Sequence, residues 1–160
     1  MRYIKPAVSQ SPSLNILLQN QYTAQDIAGV FNFTFNPVAI QDACGIQAPK
    51  FSINFVITAI DNNSVTFSFS DFPYQNPSQG TGQINNSHFV GIIADNPINY
   101  ENNGSPADEC IVNSVFTLEF DITGPGQIAN ATGTFVFSNI NGSCPLNGSS
   151  CTSVFEIAID

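Results

Sequence analysis

The sequence predicts an all-β fold, an eight-stranded antiparallel up-and-down barrel. Two observations carry that reading. The first is the stretch Lys50–Phe72. Phe51, Ile53, Phe55, Ile57 and Ala59 fall on one side of an extended chain, and Ser52, Asn54 and Thr58 on the other. Asp61-Asn62-Asn63 then breaks the pattern, which resumes with Val65, Phe67 and Phe69 inward. Period-two alternation of β-branched and aromatic residues around an Asx-rich turn reads as a β-hairpin. The second is that similar segments recur along the chain with turn signals between them and no helical period among them. Closure into a barrel removes sheet edges. That matters here, because no Lys or Arg follows Lys50 to guard an edge strand. A two-sheet β-sandwich is the competing arrangement.

In chain order, residues 1–13 hold two Pro and no periodicity, and read as an arm or linker. Residues 14–28 can form a short helix with Ser13 as N-cap, since Leu14, Leu17, Leu18 and Tyr22 share a helical face. That element is expected to pack on the barrel as a lid or plug. The alternative is a strand that pairs with another subunit. The division is therefore an N-terminal arm and short helix, 1–28, and a single barrel domain, 29–160.

The first strand runs from Gly29 to Asn36, with Phe31, Phe33 and Phe35 inward, and Pro37 ends it. A loop over 38–49 carries Cys44. The hairpin already described supplies strands two and three. Residues 71–80 are turn-rich. Two short strands follow near 81–85 and 88–94, and a long polar loop is expected over 95–109. Strand six is read over Cys110–Ile122, with Val112, Phe116, Leu118, Phe120 and Ile122 inward. Gly124-Pro125-Gly126 is a turn. Strand seven follows over Gln127–Ser138, with Ala129, Ala131, Gly133, Phe135 and Phe137 inward. Strand eight spans Cys151–Ile159.

Gly29-Val30-Phe31 opens this meander after a short helical segment. In that respect the chain resembles the lipocalin-type (calycin) barrels, whose first strand starts with Gly-x-Trp; Phe31 stands where Trp would be. No Arg after Arg2 is present to cover that ring, and no ligand residues carry over. The chain also resembles small exported bacterial β-barrels rich in Thr, Ser, Asn and Gly. The resemblance implies a barrel that holds a small hydrophobic ligand.

Composition excludes several functions. The net charge is −9, and residues 51–160 carry ten acidic side chains without one Lys or Arg. Contacts to phosphates need cations, so nucleic acid and anionic membrane surfaces are excluded as partners. No apolar run is long enough to span a bilayer as a helix. Charged residues make up 9% of the chain, against about 25% in ordinary soluble domains, and amides and hydroxyls replace them.

Cys44, Cys110, Cys144 and Cys151 form no C-x-x-C pair, and one His cannot complete a usual zinc set. Four cysteines in a Lys-poor, amide-rich chain fit two disulfides outside the cytosol, in an extracellular, periplasmic or cell-surface setting. Met1–Pro12 lacks the apolar core of a signal peptide, so an exported chain would already have lost its leader. Alternation places Cys44, Cys110 and Cys151 at one barrel end. Loop proximity then favours Cys144–Cys151 and Cys44–Cys110.

For chemistry the sequence offers little. Phe33, Phe55, Phe67, Phe116 and Phe135 are the candidate walls of an apolar ligand cavity; the alternative is that they simply fill the barrel. Glu119 and Asp121 share a polar strand face and read as solvated rather than as an acid–base pair. His88 stands without a nucleophile or second ligand. The Asp61, Asp95 and Glu101 loops carry oxygen donors but lack the calcium-loop spacing. N-x-S/T sequons occur at Asn32, Asn62, Asn85, Asn103, Asn130, Asn141 and Asn147. No catalytic motif and no cofactor site is read. Self-association is the partner expectation if the interior is packed. The functions expected are thus a non-catalytic carrier of a small apolar ligand or a structural, surface-assembly subunit.

Overall fold

The computed structural model describes residues 22–38, 41–44, 50–69, 79–101, 109–142 and 150–159, with backbone alone for 95–101, 109–111 and 139–142. Eight antiparallel strands close into a barrel in sequence order: β1 Gly29–Pro37, β2 Phe51–Ala59, β3 Ser64–Phe69, β4 Gln79–Asn85, β5 His88–Glu101, β6 Glu109–Gly124, β7 Gln127–Gly142 and β8 Ser150–Ile159. The up-and-down barrel is therefore the fold, and the sandwich is not. Closure is made by β1 against β8, with Phe33 opposite Ile159 and Pro37 opposite Phe155.

The inward residues are those the alternation picks. Phe33, Phe35, Phe55, Phe67, Phe89, Phe116 and Phe120 are fully buried, with Ile53, Ile57, Leu118 and Ile122 among them. β4 breaks the aromatic pattern, because its inward residues include Gly80 and Gly82. Outward, one register carries Thr58, Thr66, Thr81, Ile92, Thr117, Thr134 and Val154 across seven consecutive strands. β-Branched side chains suit an exposed pleated face, and each such cross-strand pair contributes about 0.2–1 kcal/mol.

Two ends result. At the hairpin end, tight turns join β2 to β3, β4 to β5 and β6 to β7. The other end carries the longer connections. Bulges depart from simple alternation. Register shifts between Ile93 and Asn96, so β5 continues through Pro97 to Glu101, opposite Glu109. The polar loop expected over 95–109 is thus shorter, because paired strand occupies 96–101 and 109. Among the described residues Pro97 pairs with β6 alone, the one-sided pairing in which a strand tolerates proline. A second bulge puts Asn130 at φ 52°, and Ala131 rather than Ala129 is buried.

Ser13 and residues 14–21 of the expected helix lie outside the described residues. Within 22–28 the chain makes one 3₁₀ turn, Ala24–Ile27. Asp26 accepts hydrogen bonds from the Thr23 backbone N–H (2.8 Å) and hydroxyl (2.9 Å), which closes the turn at its start. Ala24 and Ile27 are fully buried. The Ala24 N–H donates to the Asn62 carbonyl, the Gly126 N–H to the Asp26 carbonyl, and the Tyr22 hydroxyl to the Thr123 carbonyl. The turn is a plug for the hairpin end.

The disulfide expectation needs correction. Cys44 is bonded to Cys151, with Cα atoms 4.9 Å apart, not to Cys110. The cause is closure. After β1 the chain runs on beside β8, with the Val38 N–H donating to the Val154 carbonyl and the Ala43 N–H to the Thr152 carbonyl, both at 3.0 Å. Cys44 is thereby delivered to Cys151. Meanwhile the end of β7 follows β6, where Gly142 pairs with Cys110, instead of staying with β8. Cys144 lies outside the described residues. Since one bond holds both cysteines, Cys44→Ser and Cys151→Ser should destabilise equally, by on the order of 4–5 kcal/mol for a closed loop of this length. Non-reducing mapping with a protease that cuts after Phe and Leu, and so separates Cys144 from Cys151 at Leu146, should return a Cys44–Cys151 peptide; a Cys44–Cys110 peptide would overturn the register of β8 on β1.

Candidate functional site

The interior is the first candidate site. All five expected wall residues point into it and are buried. Phe33 stacks near Phe55 with ring centroids 4.9 Å apart, and Phe55 near Phe67 at 5.0 Å. Phe116 lies 4.5 Å from Phe135. Phe69 joins the two groups, 4.9 Å from Phe55 and 5.3 Å from Phe116. Phe67 continues to Phe89 at 6.2 Å, and Phe89 to Phe120 at 4.4 Å. These are the offset, tilted and edge-on contacts aromatic rings prefer, each contributing about 0.5–1.5 kcal/mol beyond area burial.

The glycines show how tightly those rings fill the space. A Cβ placed on Gly80 would stand 2.5 Å from the Phe67 ring, and one on Gly91 equally close to it. On Gly82 it would collide with Phe89, and on Gly133 it would reach 2.8 Å from Phe116. Real Cβ atoms do not approach so closely. The Phe67 and Phe89 rings thus occupy the volume that side chains on β4 and β5 would otherwise take. Of these glycines, the sequence reading placed Gly133 inward and missed Gly80 and Gly82. Their alternation with Thr81 and Gln83 was the available signal.

Described residues lie over part of each end. Ala24 and Ile27 stand at one. At the other, Cys44 is fully buried, and the inward Ser153 hydroxyl donates to Asp42 at 2.5 Å. No buried side-chain nitrogen or oxygen among the described residues lacks a partner.

The second candidate lies outside the barrel at the hairpin end. His88 Nδ1 is 3.0 Å from Asp121 Oδ1, and the Asn130 amide donates to Asp121 Oδ2 at 2.8 Å. Strand register brings these together, since His88 is opposite Asp121 on β5 and β6, and the bulge turns Asn130 toward them. His88 is therefore not alone, as the sequence suggested. Glu119 is exposed and takes no part. The pair is solvent-accessible and includes no nucleophile, and no group of three or more His, Cys, Asp or Glu able to hold a metal occurs among the described residues. Asp61 accepts the Asn63 and Ser64 N–H groups at 2.8 Å each, which is turn chemistry.

The Asn130 amide, and after it His88, lowers the Asp121 pKa from its ordinary value. The Thr23 N–H lowers that of Asp26, and the Asn63 N–H that of Asp61. A depressed carboxylate binds fewer protons folded than unfolded, so its stabilisation is present above the unfolded pKa and is lost as pH falls through the folded one. Chemical denaturation should show stability declining below about pH 4, with a shallower decline in Asp121→Asn. An unchanged slope would mean that the Asn130–Asp121–His88 contacts do not persist in solution. In the interior, Gly91→Ala should cost about 1–3 kcal/mol by overpacking. A neutral result there would reveal unfilled space.

No family model, curated protein or solved structure matches the chain.

Proposed function

We propose that the chain is an exported, non-catalytic β-barrel that works through its outer surface, as a structural or surface-assembly subunit in contact with other proteins. The observation that carries this reading is the seating of phenyl rings on Gly80, Gly82, Gly91 and Gly133. Interior volume that a carrier keeps for its ligand is here given to side chains. What remains for recognition is the outside: a belt of Thr, Ile and Val, amide-rich turns and very few charges. The Cys44–Cys151 disulfide supports a setting outside the cytosol, where such bonds persist. No helix among the described residues is long and apolar enough to cross a membrane, which leaves open what strands do.

The second reading is a lipocalin-like carrier. It is favoured by the convergence of Phe33, Phe55, Phe67, Phe116 and Phe135 on one interior, and it requires those rings to part for a ligand. Thermal melting against a panel of fatty acids and hydrophobic dyes separates the two. The surface reading expects no saturable shift, together with concentration-dependent self-association or partner cross-linking by light scattering and mass spectrometry. A saturable rise in Tm that Phe55→Ala abolishes would replace it with the carrier, by ligand linkage.

A further inference from the structure

Of the seven sequons in the chain, Asn32, Asn62, Asn85 and Asn130 fall where side chains are described, and the fold treats them differently. Asn32 is half-buried on β1, in mid-strand, and its amide donates to Asn54 at 3.3 Å. A sugar on that nitrogen would have to displace the cross-strand pair. Asn130 occupies the left-handed bulge, and its nitrogen is taken by Asp121. Asn62 and Asn85 differ from both. Asn62 is exposed in the β2–β3 turn, and Asn85 is exposed at the end of β4, where the β4–β5 turn begins. Neither side chain is held by another described residue. The turns neighbour each other, since the Ile84 N–H donates to the Asn63 carbonyl at 2.8 Å.

We propose that Asn62 and Asn85 are N-glycan acceptors, so that the barrel carries two glycans at its hairpin end. The donor class is a lipid-linked oligosaccharide diphosphate. The carboxamide nitrogen forms a bond to the anomeric carbon, and the bond from that carbon to the diphosphate oxygen breaks. The lipid diphosphate leaves with the electron pair, and the amide proton passes to a base of the transferase. The hydroxyls the sequons require are those of Ser64 and Ser87. Glycans here would cover the end that exposes Ile60, which is 61% accessible. Contacts with other proteins would then fall to the belt and the opposite end. The proposal rests on the exported reading, because the donor and transferase are found along secretory routes.

The test fuses the full chain to a cleavable secretory leader and expresses it in a eukaryotic secretory host, with site-resolved glycopeptide mapping of the secreted product. Because the leader supplies delivery, the result does not depend on how the native chain is exported; finding the protein outside the cells of its own source tests that separately. Expected are glycans on Asn62 and Asn85 and none on Asn32 or Asn130, with Asn62→Gln and Asn85→Gln each removing one glycan. Should either variant fail to fold, Ser64→Ala and Ser87→Ala remove the same sequons and leave the asparagines in place. A secreted chain with an intact Cys44–Cys151 bond and bare Asn62 and Asn85, or one glycosylated at Asn32, overturns the proposal.

Discussion

The pairing of β1 with β8 is the constraint on which the rest of the molecule depends. Five register pairs, from Phe33–Ile159 to Pro37–Phe155, turn a meander into a closed surface. Without them β1 and β8 would be sheet edges rich in β-branched and aromatic residues, in a chain with no cation beyond Lys50 to discourage edge pairing. With them every inward side chain faces another inward side chain. The same contact guides the 38–44 segment along β8 and brings Cys44 to Cys151. The disulfide therefore reinforces closure at the seam, between the segment that leaves β1 and the first turns of β8.

A closed barrel of this strand number has an interior that side chains can just fill. This one is filled mostly by phenyl rings, which are large and rigid, and packing them demands gaps opposite. Gly80 and Gly82 on β4, Gly91 on β5 and Gly133 on β7 supply those gaps. Rings and glycines are one device: a ring lost leaves a cavity, and a methyl added meets a ring. The ends are held by different means. Buried apolar contacts and backbone hydrogen bonds hold the 3₁₀ plug, whereas a covalent bond and the Ser153–Asp42 contact hold the other end.

Polar chemistry is accordingly pushed outward. The acidic side chains whose pKa values are depressed, Asp26, Asp61 and Asp121, all stand at the hairpin end, where backbone N–H groups or an asparagine amide satisfy them. Each secures a turn or a bulge. That end is ordered by local hydrogen bonds and presents Asn62 and Asn85 to solvent. The proposed function draws on this division of labour, with an apolar interior packed closely at four glycines and a surface of hydroxyls and amides.

The sequence by itself determined the strands, their inward faces and the up-and-down order. Alternation of Phe and Ile with Thr, Ser and Asn is a local pattern, and a one-residue error would expose every ring. It also carries the expectation against phosphate-bearing partners, since charge is additive and needs no fold. The tertiary structure decided what depends on residues distant in the chain. The Cys44–Cys151 bond was hidden because adjacency of β1 and β8 is a property of closure, not of sequence order. The His88–Asp121 pair was hidden because it depends on register between β5 and β6. Asn130 joins it only through a bulge, whose extra residue leaves no periodic trace. How closely the aromatic interior packs around its glycines also had to wait for three dimensions. An eight-stranded barrel encloses about what side chains can fill, and how closely the rings meet the four glycines of β4, β5 and β7 shows only when the rings of other strands are seated on them.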